Sequence, residues 1–239
     1  MNEILSVALL SLLAGAAMPI GALVARYDLL HPKLLTPNIR KFIVAFGGGA
    51  LVSAVALVLV PDGASKLTPV PASLCFAAGG IFFYWLDRYL SQLKSSAGQL
   101  VAMLSDFIPE AIALGAAFAV GEGTGLILVL LMILQNFPEG FNAFEELAQS
   151  SSYRPAKLLA AFFLLAVVGP ACALTGYLLL AQASDLVAGI MLFASAGILY
   201  LVFQDVAPES KAKDGGLPAL GAVAGFMLGL IGHMLIIAH

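Results

Sequence analysis

Hydrophobic residues run along this chain in long stretches rather than in the short alternations of a soluble fold. About 20 consecutive apolar residues cross the hydrocarbon core of a bilayer as a helix. Eight such stretches are present, at residues 4–25, 41–60, 70–90, 99–120, 124–146, 156–181, 185–206 and 217–238. They take up nearly the whole chain, so the pattern predicts an all-α integral membrane protein of eight transmembrane helices, with residues 1–239 as a single transmembrane domain. The first stretch follows Met1-Asn2-Glu3 without a basic segment, and is expected to stay in the mature protein rather than to be removed as a signal.

Short connections make successive helices antiparallel neighbours. Val120-Gly121-Glu122-Gly123-Thr124-Gly125 therefore joins spans four and five as a hairpin. In this arrangement every Lys and Arg except Lys66 falls on one side of the membrane. The positive-inside rule places that side in the cytoplasm and both termini outside, as in a multi-pass protein of the plasma or inner membrane. Spans two and seven end alike, in Val60-Pro61-Asp62 and Ala207-Pro208-Glu209, yet on opposite faces. Similar endings on opposite faces are the mark of an inverted repeat, here a 3+2+3 arrangement with the hairpin in the middle.

The polar positions inside the spans carry the chemistry. Spans four and five are broken at mid-length by Ser105-Asp106-Phe107-Ile108-Pro109-Glu110 and Leu134-Gln135-Asn136-Phe137-Pro138-Glu139-Gly140. An acid at the centre of a membrane helix costs about 2.5–3.5 kcal/mol, so these acids need a task. Residues four apart share a helix face. Asp106 and Glu110 lie over one another on span four; Gln135, Glu139, Asn142 and Glu146 form a stripe on span five. Each proline lacks the N–H that would bond the carbonyl four residues earlier. The carbonyls of Ser105 and Leu134 are thereby freed, as in the discontinuous helices that bind ions at the midplane of many transporters.

A divalent cation relieves the repulsion between facing carboxylates. The ligand set is Asp106, Glu110, Gln135 and Glu139, with Asn136 adjacent. All offer oxygen or amide groups, which suit manganese, iron(II), magnesium or calcium. The metal enters as substrate, and no catalytic cofactor is expected. Asp62, Asp205 and Glu209 at the span ends either line a pathway mouth or mark where the helix meets water. The alternative for the midspan acids is polar glue between helices, but no Lys or Arg sits at midspan to pair with them. His31 lies in a basic loop, and His233 and His239 fall in or after the last span, outside both motifs.

Composition narrows the classes further. With 61% hydrophobic and 10% charged residues and a net charge of −3, nucleic acid is not an expected partner; the lipid bilayer is. Gly47-Gly48-Gly49 lacks the Lys-Ser/Thr of a phosphate loop, so no nucleotide site is expected and close helix packing is the better reading. Cys75 and Cys172 sit in apolar runs as small hydrophobes. No Ser/His pair lies at depth, and an enzyme is not expected. Gly221, Gly225 and Gly229 line one ridge of the last span, suited to close packing or to a homodimer face. Two functions remain: transport of a divalent cation, or a proton or monovalent-cation carrier or channel without bound metal.

The paired motifs resemble those of the ZIP family of zinc- and iron-transporter-like metal carriers. Asp106-Phe107-Ile108-Pro109-Glu110-Ala111 and Gln135-Asn136-Phe137-Pro138-Glu139-Gly140 stand where that family has its HNxPEG-type motifs, and Phe203-Gln204-Asp205-Val206-Ala207-Pro208-Glu209-Ser210 resembles its seventh span. The resemblance implies a ZIP-type arrangement, a metal site on spans four and five, and movement of zinc, iron(II) or manganese toward the cytoplasm. This chain departs from the family pattern at Asp106 and Gln135, where His is usual, and at Phe107, where Asn is usual. Gly169-Pro170 stands where two-metal members carry a bridging Glu in span six. One bound metal is therefore expected.

Overall fold

Without water in the hydrocarbon core, backbone polar groups must be satisfied within the chain, and helices do this locally. The computed structural model describes residues 3–31, 35–93, 96–120, 122–150, 153–180, 182–211 and 216–237, and every regular element among them is helical. We number the long helices α1 (Glu3–Leu30), α2 (Pro37–Lys66), α3 (Pro69–Leu93), α4 (Ser96–Val120), α5 (Glu122–Ser150), α6 (Pro155–Leu180), α7 (Ser184–Glu209) and α8 (Leu217–Ile237). Among the described residues, seven of these, all but α4, are long and apolar enough to cross a membrane. The protein is a multi-pass helical membrane protein. Its outer faces carry side chains such as Leu164 and Leu179, 69% and 72% exposed, as lipid-facing positions require.

The helices outrun the apolar stretches that predict them. Hydropathy marks only the part of a helix that suits lipid, whereas the helix itself ends at a cap. Pro37 opens α2 behind Thr36, whose hydroxyl accepts a bond from the Ile39 amide at 3.4 Å. Pro69 and Pro155 likewise open α3 and α6.

The prolines inside α4 and α5 do not interrupt them. Helix continues through Pro109 and Pro138, in contrast to the discontinuity expected from the sequence. Each proline removes one hydrogen bond, and tight flanking helices hold the rest of the turn in register. The wide turns occur elsewhere. Besides the one that ends α6 at Gly176–Leu180, α2 passes through a π-helical turn at Val55–Leu59 and α7 through one at Val202–Val206, in both of the latter just before the Pro61 and Pro208 sequences that read alike. In these two, the residue that closes the turn donates to the carbonyl five residues back, Val60 to Val55 and Ala207 to Val202.

The packing partnerships come in matching sets. α1 packs on α5 as α6 packs on α4; α8 packs on α2 as α3 packs on α7; α2 meets α5 as α7 meets α4. Glycines set the closest approaches. A Cβ on Gly21 of α1 would strike the Phe137 carbonyl, and one on Gly140 of α5 the Met18 carbonyl. The α4–α6 contact repeats this, with Gly115 against the Ala173 carbonyl and Gly176 against that of Ile112.

Gly47, Gly48 and Gly49 of α2 point at three different helices, meeting Pro138 of α5, Val206 of α7 and Ala222 of α8. Close packing is thus their role. The ridge on α8 is also used inside the chain. Gly221 and Gly225 lie against the Phe42 and Phe46 carbonyls and Gly229 against Ser53, so α2 covers this ridge and it is not a homodimer face.

Candidate metal centre

The hairpin of α4 and α5 brings the two motifs together. Glu110 and Gln135 are 4% and 2% exposed, and the Gln135 amide Nε2 donates a hydrogen bond to Glu110 Oε2 across the helix interface. With Nε2 so used, Gln135 Oε1 is buried without a hydrogen-bond partner among the described residues. A buried amide oxygen left in this way costs roughly 1–3 kcal/mol unless a cation or donor meets it. Asp106 lies one helical turn before Glu110 on the same face of α4; its side chain falls outside the described residues.

Asn136 is turned toward α1. It is 1% exposed, and its Nδ2 donates to the Ala14 carbonyl at 2.9 Å. Glu139 and Asn142 continue the stripe on α5. Together with Gln135 they line a cavity of about 120 Å3, which Asp205 and Glu209 of α7 enter from the other side. Asn142 Nδ2 donates to Glu209 Oε2 at 2.7 Å, joining the stripe to the end of α7. Glu146, one turn further, is exposed. Asp205 and Glu209 therefore line the same cavity as Gln135 and Glu139.

Asp62 belongs elsewhere. It lines a second cavity, of about 250 Å3, with Lys66, Ala117, Thr124 and Met191. Along α4 the first cavity reaches Met103 and the second reaches Ala116 and Ala117, with Glu110 between them. The buried pair thus lies between two cavities, Gln135 lining the first of them. A carboxylate beside an amide oxygen offers a cation two oxygen donors.

Phe107, three residues before Glu110 on α4, is turned toward α1 and α6. It is 2% exposed, and its ring lies against Gly169 of α6 and Gly15 of α1. An aromatic ring supplies no ligand there. Among the described residues, no three His, Cys, Asp or Glu side chains gather as a metal-holding group.

One ionic cluster is not evident from sequence. Arg40 of α2 bridges Asp28 of α1 at 2.6 Å and Glu145 of α5 at 2.5 Å. Asp28 is 1% exposed and also accepts the Leu35 amide at 3.1 Å. In sequence, Arg40 reads as one of several loop charges that set orientation; only its partner Glu145, 105 residues away, reveals a buried clamp.

No protein-family model matches the chain. It is similar to zinc transporter SLC39A7 of Mus musculus, with 30% identity over 150 residues that cover 59% of this chain and 30% of that protein. The proteins of the same name from Rattus norvegicus and Homo sapiens are 29% identical over 150 residues, again 59% of this chain and 31% of theirs. The chain thus spans less than a third of the length of the curated relatives that it matches.

Proposed function

We propose that this chain is a ZIP-type carrier that moves divalent metal ions across a membrane toward the cytoplasm, one ion at a time, by alternating access. The observation that carries the reading is the buried Glu110–Gln135 pair, set between two cavities with the Gln135 amide oxygen unpartnered among the described residues. Glu110, Gln135 and Asp106 hold the ion in this account, Glu139 takes part from the next turn, and Asn136 holds α5 to α1. Asn142, Asp205 and Glu209 form the cytoplasmic mouth, with Glu146 beyond them; Asp62 stands at the outer one. The relatives' description as zinc transporters supports metal as the cargo. The oxygen-rich ligand set favours manganese or iron(II) over zinc.

Eight spans, with α4 as one of them, put both termini outside and fit the segregation of Lys and Arg. The matched packing sets, the reciprocal glycines and the twin π-turns support a 3+2+3 inverted repeat. The ring of Phe107 against Gly169 supports a single metal per chain, because it occupies the volume that further ligands would need. Transport needs no bound cofactor and no reaction on a substrate.

Uptake into proteoliposomes tests the proposal. The wild type is expected to accumulate manganese, and Glu110→Gln and Glu139→Gln to lose most of that flux. Unchanged flux in both variants overturns the site. Proton flux that persists in chelator, without metal uptake, favours the proton carrier instead.

A further inference from the structure

Outside the polar pathway, α2, α7 and α8 enclose a crevice of about 520 Å3 between them. This is within the roughly 300–1,000 Å3 of sites that hold small organic molecules. Gly48, Val206, Ala222, Phe226 and Leu230 are among its walls, and Ser210 supplies a hydroxyl at one end. On α8 the crevice runs from Ala219 to Leu230, a length of about 16 Å at ~1.5 Å of rise per residue. One end therefore lies at the polar end of the bundle and the other inside the apolar zone.

The polar end is cationic. Lys41, one turn before the crevice residue Ala45, donates from Nζ to the Lys211 carbonyl, and Lys211 itself is exposed directly after Ser210. The acids of α7 face away from it, since Asp205 and Glu209 line the polar cavity on the other side of that helix. Two ammonium groups at the headgroup level above an apolar slot match a negatively charged headgroup above an acyl chain.

We propose that this crevice is a binding site for one anionic phospholipid, with an acyl chain between α2, α7 and α8 and the phosphate at Lys41 and Lys211. The site adjoins the transport route. Gly48 and Val206 line both the crevice and the polar cavity, so the wall between lipid and pathway is one residue thick. A bound chain presses on the end of the π-turn of α7, and occupancy thereby bears on how α7 moves. The site depends on the chain lying in a membrane, and not on the identity of the transported ion.

Native mass spectrometry of the purified protein in detergent, with equal phosphatidylglycerol and phosphatidylcholine, tests it. The wild type should retain phosphatidylglycerol over phosphatidylcholine by about 30-fold, as expected for two surface lysines. The double variant Lys41→Gln, Lys211→Gln should lose that preference. Val223→Trp, at a crevice position 61% exposed, should lower retention of both lipids without disturbing the charges. Equal retention of the two lipids by the wild type overturns the proposal, as does wild-type retention in either variant. The readout is lipid, not metal flux, so its failure leaves the transport proposal standing.

Discussion

Gln135 and Glu110 meet head to head inside the bundle, the amide of one donating to the carboxylate of the other. Each is fixed on its own helix, and the single amide oxygen of Gln135 has no hydrogen-bond partner among the described residues. An amide oxygen is a neutral, hard donor that suits manganese or magnesium better than soft metals. Changing it should therefore alter selectivity as well as affinity. Gln135→Ala is expected to lower manganese affinity by about 10–100-fold, the usual cost of disturbing a metal site's supporting ligands. Gln135→His should shift preference toward zinc, since imidazole suits it. Competition of zinc against manganese in the proteoliposome assay measures both; a wild-type zinc preference of orders of magnitude contradicts the hard-ligand account.

Arg40 gives a stability prediction. Removing it leaves Asp28, 1% exposed, as a buried carboxylate without its cation. Breaking one side of such a pair costs about 3–5 kcal/mol. Arg40→Leu should lower the melting temperature sharply in detergent, and adding Asp28→Asn should recover much of the loss. If the single variant melts like the wild type, the clamp is not a stabilising contact.

The fold was legible where the signal is local. Apolar stretches mark helices, the spacing of Gln135, Glu139 and Asn142 marks a stripe, and the acids Asp205 and Glu209 were readable as candidate mouth groups because they end a span. What was not legible depends on partners distant in sequence. Arg40 looks like any loop cation until Asp28 and Glu145 surround it. The α8 glycine ridge looks equally fit for a second chain until α2 is seen to occupy it. Proline 109 and proline 138 predict a break by their chemistry, yet tertiary packing keeps the helix continuous.

The glycine contacts are open to a paired test. A Cβ on Gly225 would collide with the Phe46 carbonyl, whereas one on Gly80 of α3 meets nothing within 4 Å. Gly225→Ala must push α8 from α2 and should cost about 1–3 kcal/mol. Gly80→Ala should be neutral or slightly stabilising, because alanine is favoured over glycine in a helix by up to about 1 kcal/mol. Thermal unfolding of the two variants side by side checks this; equal loss in both contradicts the close α2–α8 packing.

In the proposed mechanism a metal ion binds between α4 and α5. Anomalous scattering from crystals soaked separately in manganese and in cadmium tests it most directly. The account expects one peak per chain, within about 2.0–2.6 Å of oxygens from Glu110 and Gln135. No peak there, or peaks only beside Asp205 and Glu209 at the mouth, would contradict it.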